Sequence, residues 1–215
     1  QYMFNNCTGI DLNTAPPGTP WSIPADAVEA TNWNTNMFAG TGGSFKGSPK
    51  TGTPYYYVMP LPPGFRPSIA FSSADPFNIT PQANSWNGRL YCSTDTTNWV
   101  EFTTAGATAG AVGIWNYKLY ICGAGNTRIA GDYLNRWTLD ASGSVACSGN
   151  IETLLDHAVV GDGGHPKMER YCFANLFAVA TALGSAPTLP ATTLAPSCYS
   201  AMFTGCTGLK QAPAL

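Results

Sequence analysis

Apolar positions near the C-terminus recur with a spacing of 26 residues, and seven apolar or proline positions match between two successive copies. The matched residues are Cys172, Phe173, Leu176, Phe177, Leu183, Pro187 and Leu189 in the first copy, and Cys198, Tyr199, Met202, Phe203, Leu209, Pro213 and Leu215 in the second. An internal repeat of this length is typical of stacked supersecondary units that cannot bury their apolar faces alone. We therefore predict that the matched side chains point inward and stack on their equivalents.

The same unit is present at the N-terminus. Residues 3–10 match residues 202–209 with a constant offset, which aligns Met-Phe with Met-Phe and Cys-Thr-Gly-Ile with Cys-Thr-Gly-Leu. Residues 23–38 form a looser copy that contains one inserted residue. Glycine and proline then replace the apolar spacing, as expected for a terminal repeat that covers the end of a stack.

A period of 26 lies inside the range of leucine-rich repeats, about 20–29 residues. Each unit is predicted to supply a short strand near residues 209–215 and a short helix or turn near residues 197–203, with Ser197 as a helix N-cap. The C-terminus stops inside one repeat and the N-terminus resumes another, so we predict head-to-tail association or contact with neighbouring tandem units. The residues predicted to pack in the stack or join its ends are Tyr2, Met3, Phe4, Ile10, Phe203, Leu209 and Leu215.

The middle of the chain has a different pattern, with short β-type runs separated by turn residues. Residues 93–98 are predicted to form a hairpin loop, and residues 151–155 a short amphipathic helix that leads into the repeats. Seven short strands suggest a small β-sandwich. The predicted strands are residues 69–71, 89–92, 99–102, 111–114, 118–122, 137–139 and 145–147.

The predicted fold is β-rich, with a small β-sandwich module joined to a leucine-rich-repeat solenoid that has short helices. Residues 1–54 would hold repeats and a C-terminal-type cap. Residues 55–147 would form the sandwich-like module, and residues 148–215 the junction helix and further repeats.

The composition of the chain argues against some classes of function. Charged residues make up 10% of the chain and the formal net charge is −2, with no basic stripe of the kind that nucleic-acid binding needs. No apolar run approaches the ~18 residues of a membrane span. The seven cysteines contain no Cys-x-x-Cys pair. We predict that Cys7, Cys172, Cys198 and Cys206 are reduced and buried, and that Cys92 and Cys122 are the pair with the best prospect of a disulfide.

Candidate chemistry is sparse, and we predict no catalytic residues, no cofactor and no metal site. His157 and His165 are the only histidines, and they are interpreted as surface residues of a glycine-rich segment. Glu152 and Asp156 lie one helical turn apart, which could form a paired-carboxylate site but more often marks a solvated helix face. No Gly-x-Ser-x-Gly elbow or phosphate-binding loop is present. The chain is therefore predicted not to be an enzyme.

The repeat pattern resembles the BspA-like leucine-rich repeats of bacterial surface proteins, of the type found in gut bacteria and some of their phages. The resemblance rests on Phe203-x-x-Cys206-x-x-Leu209 and Phe4-x-x-Cys7-x-x-Ile10, and on the junction at residues 147–155. In the first copy Ala180 replaces the cysteine, so that position is one of packing. The resemblance implies an extracellular location, on a bacterial cell or a virion, and adhesion to glycans or host surface proteins.

Two hypotheses for ligand contact accompany these expectations. The asparagines beside the repeat positions would face solvent and could contact glycans, or could keep the stack soluble; they are Asn5, Asn6, Asn34 and Asn36. Aromatic residues of the middle region could form a sugar-binding face or pack in the core; they are Trp86, Trp99, Trp115, Tyr117 and Tyr120. The alternative function is accordingly a carbohydrate-binding module of a larger surface enzyme or phage fibre.

Overall fold

The computed structural model describes residues 65–213 and the backbone of residues 44–46 and 56–58. The chain divides into two compact units, Gln1–Pro62 and Pro63–Leu215. In the first unit, strand β1 (Ser44–Lys46) pairs antiparallel with strand β2 (Tyr56–Val58). The predicted repeat copies at residues 3–10 and 23–38 lie outside the described residues.

Ten strands of the second unit form two sheets. They are β3 (Ile69–Ser73), β4 (Phe77–Pro81), β5 (Arg89–Ser93), β6 (Val100–Glu101), β7 (Ala107–Thr108), β8 (Gly110–Ala111), β9 (Tyr117–Ala124), β10 (Trp137–Ala141), β11 (Val145–Ser148) and β12 (Leu183–Ser185). The larger sheet has the order β12-β11-β3-β9-β5-β6, with β8 also paired to β9, and the smaller sheet has the order β10-β4-β7. Neighbouring strands are antiparallel except β11 and β12, which are parallel. The prediction of a β-rich, sandwich-like fold is confirmed.

All seven predicted strands overlap an observed strand, and the loop at residues 93–98 connects β5 to β6 as predicted. Asp95 shapes this loop, since its carboxylate accepts hydrogen bonds from the backbone N–H groups of Thr97 and Asn98. These hydrogen bonds hold the pKa of Asp95 well below its usual range. Strand β4 was not predicted, because prolines at both ends of its five-residue alternating pattern mask it.

A cluster of buried aromatic rings joins the two sheets to the C-terminal repeats. Phe71 from β3, Phe102 and Trp137 from β10 lie in one core with Phe177 from the first repeat copy. Phe177 meets both Phe71 and Trp137 edge-on, at ring-centroid distances of 6.1 and 6.2 Å. The first repeat copy therefore completes the core of the sandwich-like region.

The junction between the sheets and the repeats differs from the predicted amphipathic helix. Residues Ile151–Leu154 form a single 3₁₀ turn whose four side chains are all buried, and helix α1 (His157–Gly161) follows it. Asn150 caps the turn and Asp156 caps the helix, each by accepting hydrogen bonds from backbone N–H groups. The prediction of a solvated face is wrong for Glu152, because the turn packs directly against β9.

The six cysteines in the described part of the chain are free and buried. This confirms the prediction for Cys172, Cys198 and Cys206, whereas Cys7 lies outside the described residues. The proposed Cys92–Cys122 disulfide is wrong for a geometric reason. Cys92 is opposite Ile121 and Cys122 is opposite Tyr91, so the two cysteines point to opposite faces of the sheet. Burial raises the pKa of Cys122 to about 12, which keeps it a thiol.

Candidate assembly surface

The two repeat copies are ribbons of consecutive tight turns. In the first copy, alternate residues donate their backbone N–H to the carbonyl three residues earlier, as in Ala174 to Tyr171 (3.0 Å) and Ala178 to Asn175 (2.9 Å). The second copy repeats this pattern from Cys198 to Cys206. Residues 197–203 were predicted to form a helix or turn, and they form turns.

Left-handed backbone at every fourth residue generates the turns. Tyr171, Asn175 and Val179 have φ angles of 59–61°, and the second copy has the same conformation 26 residues later. Its corresponding residues are Ser197 (57°), Ala201 (53°) and Gly205 (76°). The predicted helix N-cap at Ser197 is wrong, because an N-cap has extended backbone and Ser197 is left-handed.

The strand predicted for each repeat is present only in the first copy. There it is β12, which pairs with β11, whereas the equivalent residues 209–211 are not a strand.

The N–H groups of the remaining alternate residues of the first copy make no bond within that copy, and they donate instead to backbone carbonyls of the second copy. Five such bonds of 2.7–3.1 Å connect the copies. They run from Tyr171 to Pro196, from Phe173 to Cys198, from Asn175 to Ser200, from Phe177 to Met202 and from Val179 to Thr204. Each donor therefore bonds to the carbonyl of the residue 25 positions later, one residue before its own equivalent. The two copies form a regular hydrogen-bonded stack.

The preceding layer is supplied by the sandwich-like region. The N–H groups of Ile129 and Ala130 donate to the carbonyl of Cys172, and that of Trp137 donates to the carbonyl of Leu176. Most bonds between layers thus point the same way, from the N–H groups of one layer to the carbonyls of the next.

Aromatic side chains follow the same stack. Phe173 lies on Tyr199 and Phe177 lies on Phe203, each pair with ring centroids 5.8 Å apart and nearly parallel planes. Phe173 and Phe177 are fully buried, whereas Tyr199 and Phe203 are only partly buried. The outer face of the second copy is therefore more exposed than the outer face of the first.

In the described part of the chain, the second copy is the last layer of the stack, and its corresponding N–H groups have no backbone acceptor. We call its backbone at Ser197, Tyr199, Ala201, Phe203 and Gly205 the open edge. These five residues correspond to the five donors of the first copy, yet in residues 65–213 none of their N–H groups donates to a backbone carbonyl. Unpaired N–H groups in a row form a template for another chain.

The predicted assembly residues are placed in part by the structure. Phe203 and Leu209 are partly buried and pack against the core. Tyr2, Met3, Phe4, Ile10 and Leu215 lie outside the described residues, and so do the predicted ligand-facing residues Asn5, Asn6, Asn34 and Asn36. The sequence predicted an unfinished repeat at this end of the chain, but it did not indicate which N–H groups form the open edge, because backbone donors leave no side-chain pattern.

Four of the five aromatic residues considered for a sugar-binding face are in different surroundings, and the fifth, Tyr120, lies on β9 opposite Ser93. Trp86 and Tyr117 pack against the core, and Trp99 lies under the guanidinium of Arg66, whose central carbon is 5.6 Å from the ring centroid. Trp115 is 76% exposed in the tight connection between β8 and β9. A separate open cleft of about 350 Å³ lies between the β4–β5 connection, the β9–β10 connection and the start of the first repeat copy. Its lining includes Asn84, Ser85, Arg128, Asp132, Asn135, Arg170 and Tyr171.

Glu152 and His165, which sequence spacing did not connect, lie within hydrogen-bond distance of each other. The Glu152 side chain is 1% exposed, and its Oε2 lies 2.7 Å from Nδ1 of His165, whose side chain is 40% exposed. The other oxygen of Glu152 and the hydroxyl of Tyr199 are buried without a hydrogen-bond partner in residues 65–213. Burial raises the pKa of Tyr199, and the nearby Cys198 and Glu152 raise it further. The arrangement fastens the segment around His165 to the junction turn.

Replacing His165 with alanine is expected to lower the free energy of unfolding by about 1–3 kcal/mol, because the buried side chain of Glu152 then loses its hydrogen-bond partner. In the His165→Ala/Glu152→Gln double variant the loss should be smaller than the sum of the two single losses, since both single changes remove the same direct contact. Urea unfolding of the four proteins measures this coupling. Strictly additive losses would show that the pair contributes nothing to stability.

Within the described ranges, no group of three His, Cys, Asp or Glu side chains could hold a metal ion. No helix in that part of the chain is both long and apolar enough to cross a membrane. Comparison of the chain with family models, with curated proteins and with solved structures found no significant match.

Proposed function

We propose that this chain is a non-enzymatic extracellular surface or fibre protein that acts in adhesion and in head-to-tail assembly. The observation that carries the proposal is the open edge. Layers of the stack are joined by regularly spaced backbone hydrogen bonds, and the last layer presents the same donors without acceptors in the described residues. A surface of this kind binds protein backbone, which suits an assembly role better than a catalytic one.

The proposal extends to the family resemblance, and it includes a BspA-like leucine-rich-repeat relationship and a location on a bacterial cell or virion. Its support is the 26-residue period together with the stacking of equivalent side chains, Phe173 on Tyr199 and Phe177 on Phe203. Low charge adds to it, because charged residues make up only 10% of the chain and few side chains repel an approaching copy.

Sedimentation velocity over a range of protein concentrations tests the assembly role, with electron microscopy of the same samples. We expect the mean mass to rise with concentration and filaments or rings to appear. A Phe203→Glu variant should associate more weakly, because it places a charge on the open edge. Leu194→Glu is the matched control, since Leu194 is exposed and lies outside the open edge. A wild-type chain that stays monomeric at every concentration contradicts the assembly role.

Carbohydrate binding is the second candidate function, as a module of a larger surface enzyme or phage fibre. The cleft favours it, because amide, carboxylate and guanidinium groups converge there beside the ring of Tyr171. Planar polar side chains next to an aromatic ring can bind hydroxyl groups and the apolar face of a sugar. A glycan array probed with the monomeric chain separates the two functions: a specific sugar signal without concentration-dependent association favours carbohydrate binding.

A further inference from the structure

The two repeat copies are joined in one regular register. A donor in one repeat copy bonds to the carbonyl that precedes its equivalent residue in the next copy, as Phe177 does with Met202 and not with Phe203. Equivalent side chains nevertheless lie on one another, as Phe177 and Phe203 show. A further layer on the open edge would have to satisfy both conditions.

One segment of this chain has the sequence of such a layer. Residues 3–10 match residues 202–209, including the Phe-x-x-Cys-Thr-Gly pattern. Neither residues 197–209 nor residues 1–10 contain a charged side chain. Exposed strand-like edges in natural proteins are commonly protected by charges, which oppose the approach of another chain. The sequences of both segments lack such charges.

We infer that the open edge of one copy binds residues 1–11 of a second copy, in a single register. This inference rests on the proposed assembly function and specifies its interface. The register rule pairs the N–H groups of Ala201, Phe203 and Gly205 with the carbonyls of the partner copy's residues 1, 3 and 5. Phe4 of the second copy then lies on Phe203, and Cys7 lies on Cys206.

Charge complementarity just beyond the uncharged stretch selects the same register. Lys210 is exposed and follows Leu209, and the residue that follows Ile10 is Asp11. With Ile10 on Leu209, Asp11 of one copy lies beside Lys210 of the other. A shift by one residue would separate these charges and also remove Phe4 from Phe203. The apolar column, the backbone donors and the charged pair therefore agree on one alignment.

The contact uses the open edge of one copy and residues 1–11 of the other, so the joined pair retains one free open edge and one free segment. Such a heterologous interface adds copies in one direction, and it forms a filament unless its rotation closes a ring. Pairing between copies thus satisfies the edge and the segment in every copy except the terminal ones.

Charge reversal tests this interface in the full chain. In Lys210→Asp both members of the pair are acidic, and in Asp11→Lys both are basic, so each variant alone should associate about threefold more weakly than wild type at low salt. An equimolar mixture should regain wild-type association, because each interface between unlike copies then joins opposite charges. Lys167→Asp is the matched control, since Lys167 is an exposed lysine outside the open edge.

The readout is the concentration at which half of the chains are associated, measured by sedimentation velocity. Recovery in the mixture supports the inference. Wild-type association in the Lys210→Asp/Asp11→Lys double variant, but not in the mixture, would mean that residues 1–11 pair with the open edge of their own chain. That result overturns the inference. If wild type assembles but each charge reversal weakens association no more than Lys167→Asp does, this register is overturned and the proposed assembly function is not. A monomeric wild type overturns the proposed function instead.

Discussion

Replacing Phe177 with alanine is expected to lower the free energy of unfolding by about 3–5 kcal/mol, the usual cost of removing a buried aromatic ring. Phe177 is 2% exposed and contacts three other rings. It meets Phe71 and Trp137 edge-on and stacks on Phe203, with all three centroid distances between 5.8 and 6.2 Å. Its removal opens a cavity where the sheets and the repeats share one core, so neither part can collapse around it alone.

The equivalent residue in the second copy provides the control. Phe203 is only partly buried, and Phe203→Ala should cost about 1–2 kcal/mol because less apolar surface is lost from the core. From the repeat pattern alone the two positions are identical, and both would be treated as fully buried. Urea unfolding of the two variants compares them at dilutions where the chain is monomeric. Equal losses would contradict the assignment of the second copy as the outer layer.

Replacing Gly123 with alanine is expected to cost about 3 kcal/mol or more, since overpacking against rigid backbone is among the more damaging core changes. A Cβ atom at Gly123 would lie 1.7 Å from the carbonyl oxygen of Leu154 and 2.7 Å from Nδ2 of Asn126. That amide is buried and donates to the carbonyls of Leu154 and Arg89, at 3.1 and 2.7 Å. The added methyl group therefore pushes the junction turn away from β9 and breaks buried hydrogen bonds.

Alanine variants of two nearby glycines serve as controls, because they measure the effect of glycine replacement without the contact to Leu154. Gly131→Ala should change stability by less than about 1 kcal/mol, because its nearest neighbour to a new Cβ is 3.8 Å away and its φ is not left-handed. Gly125→Ala should cost about 1 kcal/mol from backbone strain alone, since its φ is +65° and nothing lies within 4 Å. Thermal and urea unfolding measure all three variants. A Gly123→Ala loss no larger than that of Gly125→Ala would show that the junction turn is not packed as described.

Local patterns in the sequence determined most of the strands and the equivalence of the repeats. Alternation between apolar and polar residues identified seven strands, because a strand with one buried face carries its burial pattern in its own residues. The 26-residue offset paired Cys172 with Cys198 and Phe177 with Phe203, because stacked units place equivalent side chains in one column. Ala180 of the first copy stands where the second copy has Cys206, and both residues are buried, as expected for a packing position.

Tertiary structure decided the features that depend on a distant partner. Glu152 has the spacing of a solvated helix face, yet it is buried because the junction turn lies on β9 and His165 meets its carboxylate. Cys92 and Cys122 lie on adjacent strands, but the strand register places them on opposite faces. Residues 183–185 form a strand and their equivalents 209–211 do not, because only the first copy lies beside β11. The sequence predicted an unfinished end of the repeats, but the positions of the donors in the open edge came from the structure alone, since nearly every residue carries the same backbone donor and only the stack determines which donors find an acceptor.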